Sequence, residues 1–249
     1  MNDHDALLRA IGENPEEDTP RLMYADWLEE NNEPDRADFV RAQVELARPG
    51  LSSAEKYPFV RKNVHYLTNF VRGWKAKLPQ LKDVEWGDFN RGLIEEVRAT
   101  NEVPVIAHAA EIFAVPGIHV LRLWRLTNGQ RLARVPELTH LRVFRVIAGA
   151  SAPVLRALFA SPHLHRLTVL DLHGSLVDDA TVADIADGRF PDLAELLLGS
   201  NVVGDAGANA LVASSPLANL RFLDLRGNPV ADRSVRAALR RRFGSKTKL

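Results

Sequence analysis

Five positions recur three times, in fixed order, near the C-terminus of the chain. Leu167, Leu170, Leu172, Ser175 and Val177 return as Leu193, Leu196, Leu198, Asn201 and Val203, and again as Leu220, Leu223, Leu225, Asn228 and Val230. Each copy reads L-x-x-L-x-L-x-x-N/S-x-V, and the copies begin 26 and then 27 residues apart. A unit of that length holds one strand and one helix, and it buries its apolar face only by stacking on neighbours. The first, fourth and sixth positions then point inward, and stacked units merge them into one core. A stack of strands offers a long curved surface, so recognition is expected of it rather than chemistry.

The period and pattern resemble the leucine-rich repeat. Weaker copies extend the series toward the N-terminus, at Ile94, Val97, Ala99, at Ile118, Leu121, Leu123 and at Leu141, Phe144, Val146. Six strands are therefore expected, with helical segments such as Val105–Phe113, Ala152–Phe159 and Gly204–Val212 between them. Asp178-Asp179-Ala180 and Asp205-Ala206-Gly207 stand where those helices begin, and acids there complement the helix dipole. The D-A-G entry resembles the ribonuclease-inhibitor class of repeat. In the ninth position an asparagine amide can satisfy backbone groups that no strand pairs. Asn201 and Asn228 suit that role, Ser175 suits it more weakly, and Leu126 and Gly149 cannot fill it. Arg233–Phe243 is the expected final helix, its polar face capping the stack.

The first fifty residues read as three short helices. One runs from about His4 to Glu13 and stops at Asn14-Pro15. The second begins with Thr19 as N-cap and Pro20 at the first helical position. The third opens at Pro34 and closes at Pro49-Gly50. The runs Ala6-Leu7-Leu8, Asp18-Thr19-Pro20-Arg21-Leu22, Tyr24-Ala25-Asp26-Trp27-Leu28-Glu29-Glu30 and Phe39-Val40-Arg41 strongly resemble the repeat-companion domain found beside repeats in planctomycete bacteria. That resemblance implies a small helical module accompanying leucine-rich repeats, with no catalytic residues to carry over. Tyr24 and Trp27 supply large anchors, and Arg21 and Asp26 are placed to pair across the module. Residues 54–78 then read as one helix with Val60, Val64, Leu67, Phe70, Val71, Trp74 and Leu78 along its apolar face.

The fold class is accordingly α/β: an N-terminal helical module, then a short leucine-rich-repeat solenoid with parallel strands on the concave face and helices on the convex face. Residues 1–50 form the acidic three-helix module, 51–88 a basic bridge helix and linker, and 89–249 the solenoid with its capping helix. The formal net charge of zero conceals a gradient. Residues 1–50 hold 13 acidic and 5 basic residues, whereas 51–82 hold 7 basic and 1 acidic. The last seventeen residues carry seven Lys or Arg and no acid. The absence of cysteine removes disulfides, thiolate nucleophiles and Cys-based zinc sites. No apolar run reaches eighteen residues and the N-terminus lacks a secretory pattern, so a cytoplasmic protein is expected.

The repeat frame places the third, fifth and seventh positions of each unit on the open face of the strands. Val120, Val143, Val169, Trp124 and Ile147 make an apolar patch across three neighbouring strands, beside Arg98, Arg122 and Arg145, while the C-terminal half offers Asp171 and Asp224. A tryptophan bordered by arginines has the composition of an interface hot spot. The partner-binding residues expected from sequence are therefore Val120, Arg122, Trp124, Val143, Arg145, Ile147, Val169 and Asp171. A helical segment folding back over the patch is the competing explanation. Asp171, His173 and Ser175 superficially suggest a hydrolase triad, but no G-x-S-x-G accompanies them. His163 and His165 lack a third metal ligand. No P-loop, G-x-G-x-x-G, H-E-x-x-H or EF-hand loop is present. The expectation is a non-enzymatic, monomeric scaffold-type protein that binds another protein through the repeats, without cofactor or metal. The alternative is a nucleic-acid or anion-associated factor using the basic bridge and tail.

Overall fold

Strands of the recurring unit lie side by side in one sheet, in the register that the repeat frame predicts. The computed structural model describes residues 3–147 and 149–249. Within them the chain forms two units of dense internal packing. One comprises residues 3–81, Trp86–Glu96 and Glu111–Ile118; the other comprises Lys82–Glu85, Val97–Ala110 and His119–Leu249.

The first unit is built on helices α1 (Asp3–Glu13), α2 (Thr19–Glu30) and α3 (Pro34–Ala47). Leu8, Ile11, Ala25, Leu28, Val40 and Val44 form its core. Thr19 is not the N-cap of α2: Asp18 holds that position and Thr19 is already helical. The Asp18 carboxylate pairs instead with Arg91 at 3.2 Å. Tyr24 and Trp27 stack with their ring centroids 6.3 Å apart, as anchors should. Arg21 does not pair with Asp26. It is fully buried and pairs with Glu95 at 2.5 Å, while Asp26 pairs with Arg41 at 2.6 Å.

The expected single bridge helix is two, α4 (Ser53–Asn69) and α5 (Val71–Ala76), broken at Phe70. A capping box between Ser52 and Glu55 starts α4. The aliphatic stripe of Val60, Val64 and Leu67 is exposed, and α4 buries Tyr66 instead. Aromatic area explains the difference. Tyr66, Phe70 and Trp74 close around Phe39, with Phe39–Trp74 centroids 5.1 Å apart and the Tyr66 hydroxyl donating to Asp38 at 3.0 Å. These rings bury more surface than the valines, and tyrosine keeps a satisfied polar tip.

Strand β1 (Val84–Trp86) follows. A short antiparallel hairpin then pairs β2 (Phe89–Asn90) with β3 (Leu93–Ile94). Its two turn residues, Arg91 and Gly92, both have positive φ, as two-residue hairpins require. Gly92 is also needed for space, since a Cβ there would lie 2.6 Å from a methyl of Val40. Ile94, expected to open the first repeat, is thus a hairpin residue of the helical unit.

The repeat strands are β4 (Glu96–Ala99), β5 (Val120–Leu123), β6 (Val143–Val146), β7 (Val169–Asp171), β8 (Glu195–Leu197) and β9 (Phe222–Asp224). From β5 to β9 each pairs in parallel with the next. Leu121, Phe144, Leu170, Leu196 and Leu223 fall in one register row, and all are buried. The return segments are helical. Ala152–Phe159 and Arg233–Phe243 begin and end as expected, and the third runs over Asp205–Ala213. The segment expected over Val105–Phe113 is two short helices, Glu102–Ala107 and Ala109–Phe113.

Among the described residues the sheet has eight strands rather than six, because one is added at each end. β1 lies beside β4. At the far end β10 (Thr247–Lys248) pairs in parallel with β9, Thr247 opposite Leu223. The final helix therefore does not end the stack. The basic C-terminal residues supply the strand that covers the β9 edge.

Candidate interaction face

The turn after each strand decides how firmly the units hold together, and Asn201 and Asn228 do this work. The Asn201 amide oxygen accepts from the backbone NH of Ser175 at 2.9 Å and of Val177 at 3.0 Å. Its NH2 donates to the carbonyls of Leu172, Leu198 and Gly199 at 2.9, 2.8 and 3.2 Å. Asn228 accepts from Val203 NH at 3.0 Å and donates to the Leu198 and Leu225 carbonyls. Both side chains thus bridge from their own turn to the preceding one. Ser175 does not share the role: its hydroxyl is buried without a partner.

Two further ties escape the leucine pattern. Asp179 accepts from Gly204 NH at 2.6 Å, and Asp205 accepts from Ala231 and Asp232 NH at 2.9 and 3.0 Å. These acids stand in the first turn of their own helices, where they complement the dipole, and also reach the next unit, while the adjacent Asp178 caps its own helix through Thr181. Glu102 stands in the ninth position of the first copy. It is buried and accepts from the Thr127 NH and hydroxyl at 3.0 and 2.6 Å. Burial pushes its carboxyl up, but the bonds from Thr127 and from nearby backbone amides outweigh that and leave it below its ordinary value.

On this frame the candidate residues fall into three rows. Val120, Val143 and Val169 sit directly opposite one another on β5, β6 and β7, each half-buried. Arg122, Arg145 and Asp171 form the next row, also half-buried. Beyond the strand ends, Trp124 is 59% exposed and Ile147 40% exposed. Their backbones continue the ladder, Trp124 NH donating to Ala99 and Ile147 NH to Leu123. The valines make a floor, and the tryptophan and isoleucine project from its rim.

An open cleft of about 480 Å³ lies beside them, lined by Arg98, Arg122, Trp124 and Ile147 and bounded by Asp83, Val84 and Glu85. Sequence reasoning placed the four and missed the three from the β1 edge, whose only signal is the short alternation Val84-Glu85-Trp86. Glu85 pairs with Arg98 at 3.5 Å. The guanidinium Nε of Arg145 is shielded and has no hydrogen-bond partner.

The opposite end of the face is self-contained. Asp224 is buried and held by Arg226, whose Nε lies 2.9 and 3.1 Å from the two carboxylate oxygens. That contact keeps the Asp224 carboxyl below its ordinary value. Gly199 leaves room for His173: a Cβ there would lie 2.6 Å from the imidazole Nδ1. Asp171 accepts from the backbone NH of His173 at 3.2 Å and is not oriented on its imidazole. With the Ser175 hydroxyl buried, these three residues do not assemble a triad. Among the described residues no cluster of three His, Asp or Glu is placed to hold a metal. No described helix is long and apolar enough to cross a membrane.

No family model matches this sequence, and no curated protein does. Among solved structures the chain is similar to an internalin from Listeria monocytogenes, with 16% sequence identity and a TM-score of 0.41. The match covers 61% of this chain and 38% of the internalin.

Proposed function

We propose that the protein is a non-enzymatic binding module that holds a protein partner on the open face of β5, β6 and β7. The observation that carries this reading is the in-register row of Val120, Val143 and Val169 beneath the protruding Trp124 and Ile147. Large apolar side chains clustered on a polar surface mark interaction sites. Arg122, Arg145 and Asp171 form the row between the valines and the Trp124–Ile147 rim, and their charges give orientation to whatever docks. The three-helix module is read as a repeat-companion domain, its helices organised by Tyr24, Trp27 and the buried Arg21.

The nucleic-acid reading has less support. Arg242 of the tail donates to the carbonyls of Val212 and Ser214, and Lys62 and Lys75 of the bridge pair with Asp38 and Asp88. Cations committed in this way are poor phosphate ligands.

The test is affinity capture from native lysate by the wild type and by a folded Trp124→Ala, Arg145→Glu double variant. A protein held by the wild type and lost by the variant, at high salt as well as low, supports the face. Equal capture by both removes it. Capture that disappears with nuclease or with added salt favours the basic segments.

A further inference from the structure

Within the helical unit lies a second cavity, of about 370 Å³, with mostly apolar walls that include Leu8, Trp74, Leu78 and Leu93. Its volume is within the range of small-molecule sites, which pair apolar walls with a few fixed polar groups. Here those groups are Arg36, Lys77, Tyr24, Glu33 and His4.

Arg36 is held unusually rigidly. Its guanidinium carbon sits 4.6 Å from the Trp74 ring centroid and 4.4 Å from that of Phe89. Nη2 donates to the Gly92 carbonyl at 2.6 Å. Nη1 is shielded from solvent and has no acceptor. A cationic donor left unsatisfied in an apolar wall is costly, and a planar anion supplies what it lacks. Two aromatic rings fix the plane of the guanidinium, so its charge meets an anion in one orientation. Lys77 adds a second positive charge against the single carboxylate of Glu33. Burial raises the Tyr24 phenol, so its hydroxyl stays protonated and able to donate. Burial lowers Arg36 to about 10, which leaves it cationic at neutral pH.

We propose that this cavity binds a monocarboxylate with an aromatic or branched apolar body, its carboxylate on Arg36 and its body against Trp74, Leu78 and Leu93. The site is separate from the strand face and stands whether or not that face binds a protein.

The experiment uses the full chain, titrated with phenylacetate and with its neutral analogue phenylacetamide. Calorimetry reads affinity, and the four tryptophan indole NH resonances read location. Phenylacetate is expected to bind at least tenfold more tightly than the amide and to shift the Trp74 indole while leaving Trp124 unmoved. In folded Arg36→Met the preference for the carboxylate should vanish. If that variant does not fold, the carboxylate-to-amide ratio and the Trp74 shift of the wild type decide. N-acetyl-glycyl-phenylalanine separates the sources of the carboxylate. Tighter binding than phenylacetate assigns the pocket to a peptide end, and weaker binding assigns it to a free acid. Equal affinity for acid and amide, no binding of either, or a shift at Trp124 in place of Trp74 overturns the proposal.

Discussion

Arg21 and Glu95 stand 74 positions apart and meet as a buried ion pair, Nη2 to Oε1 at 2.5 Å. The same guanidinium donates to the carbonyls of Pro15 and Arg91, and Asn90 donates to the other carboxylate oxygen. One pair therefore ties the α1–α2 turn to the hairpin. Removing one member of a buried pair leaves the other uncompensated, at a cost of roughly 3–5 kcal/mol. Glu95→Gln is expected to lower the urea midpoint of the helical unit accordingly. A combined Arg21→Met, Glu95→Leu variant should recover much of the loss. A single variant as stable as wild type would remove the pair from the account.

Asn201 and Ser175 occupy equivalent positions with opposite consequences. Asn201→Ala strands two backbone NH groups and removes three donations, so a loss on the order of 1–3 kcal/mol is expected. Ser175→Ala deletes a buried hydroxyl that satisfies nothing and should leave stability unchanged or slightly raised. Paired urea titrations read both, and equal losses would contradict the assignment.

Gly129 should tolerate no side chain. Gly129 opens the short helix Gly129–Leu132, and a Cβ there would lie 1.9 Å from the Val154 carbonyl oxygen in the backbone of the helix Ala152–Phe159. Gly129→Ala is expected to cost at least about 1–3 kcal/mol through overpacking. A thermal midpoint equal to wild type would show that the two helices separate freely.

Acid should weaken the repeats through Asp224. Its carboxyl lies below the ordinary value of 3.8 because Arg226 bonds it, with burial opposing. A group depressed on folding adds stability at pH above its unfolded value, and that contribution fades as pH falls through the folded one. The wild type should therefore lose stability progressively below about pH 4. Asp224→Asn should flatten that decline while being less stable at neutral pH. Identical pH profiles for the two proteins would exclude the contact as a source of acid sensitivity.

The strand frame was readable because leucine spacing leaves one way to stack the units. The same frame puts Val120, Trp124, Val143 and Ile147 on a common face, because alternate positions of a strand share one side. Asn201 and Asn228 were readable too, since few side chains both accept and donate in a turn. Glu102 was not, because a carboxylate in an asparagine position looks like surface charge until Thr127 is seen beside it. The hairpin at 89–94 and the terminal strands β1 and β10 are two or three residues long, too short to show a period. The bridge misled because its valines kept helical spacing, whereas burial followed the rings of Tyr66, Phe70 and Trp74.

The asparagine ties are unevenly distributed along the sheet. They join the turns after β7, β8 and β9, whereas Leu126 and Gly149 stand in the same position after β5 and β6. Trp124 and Ile147 therefore follow the two strands whose turns lack an asparagine tie, although Glu102 bonds Thr127 in the turn after β5. Amide exchange should be faster at 120–147 than at 196–225, because opening there breaks fewer bonds. A partner that docks on Trp124 and Ile147 would slow exchange in the first segment and leave the second unchanged. Binding would then be felt as a loss of motion confined to one half of the array, with the tied half acting as its rigid mount.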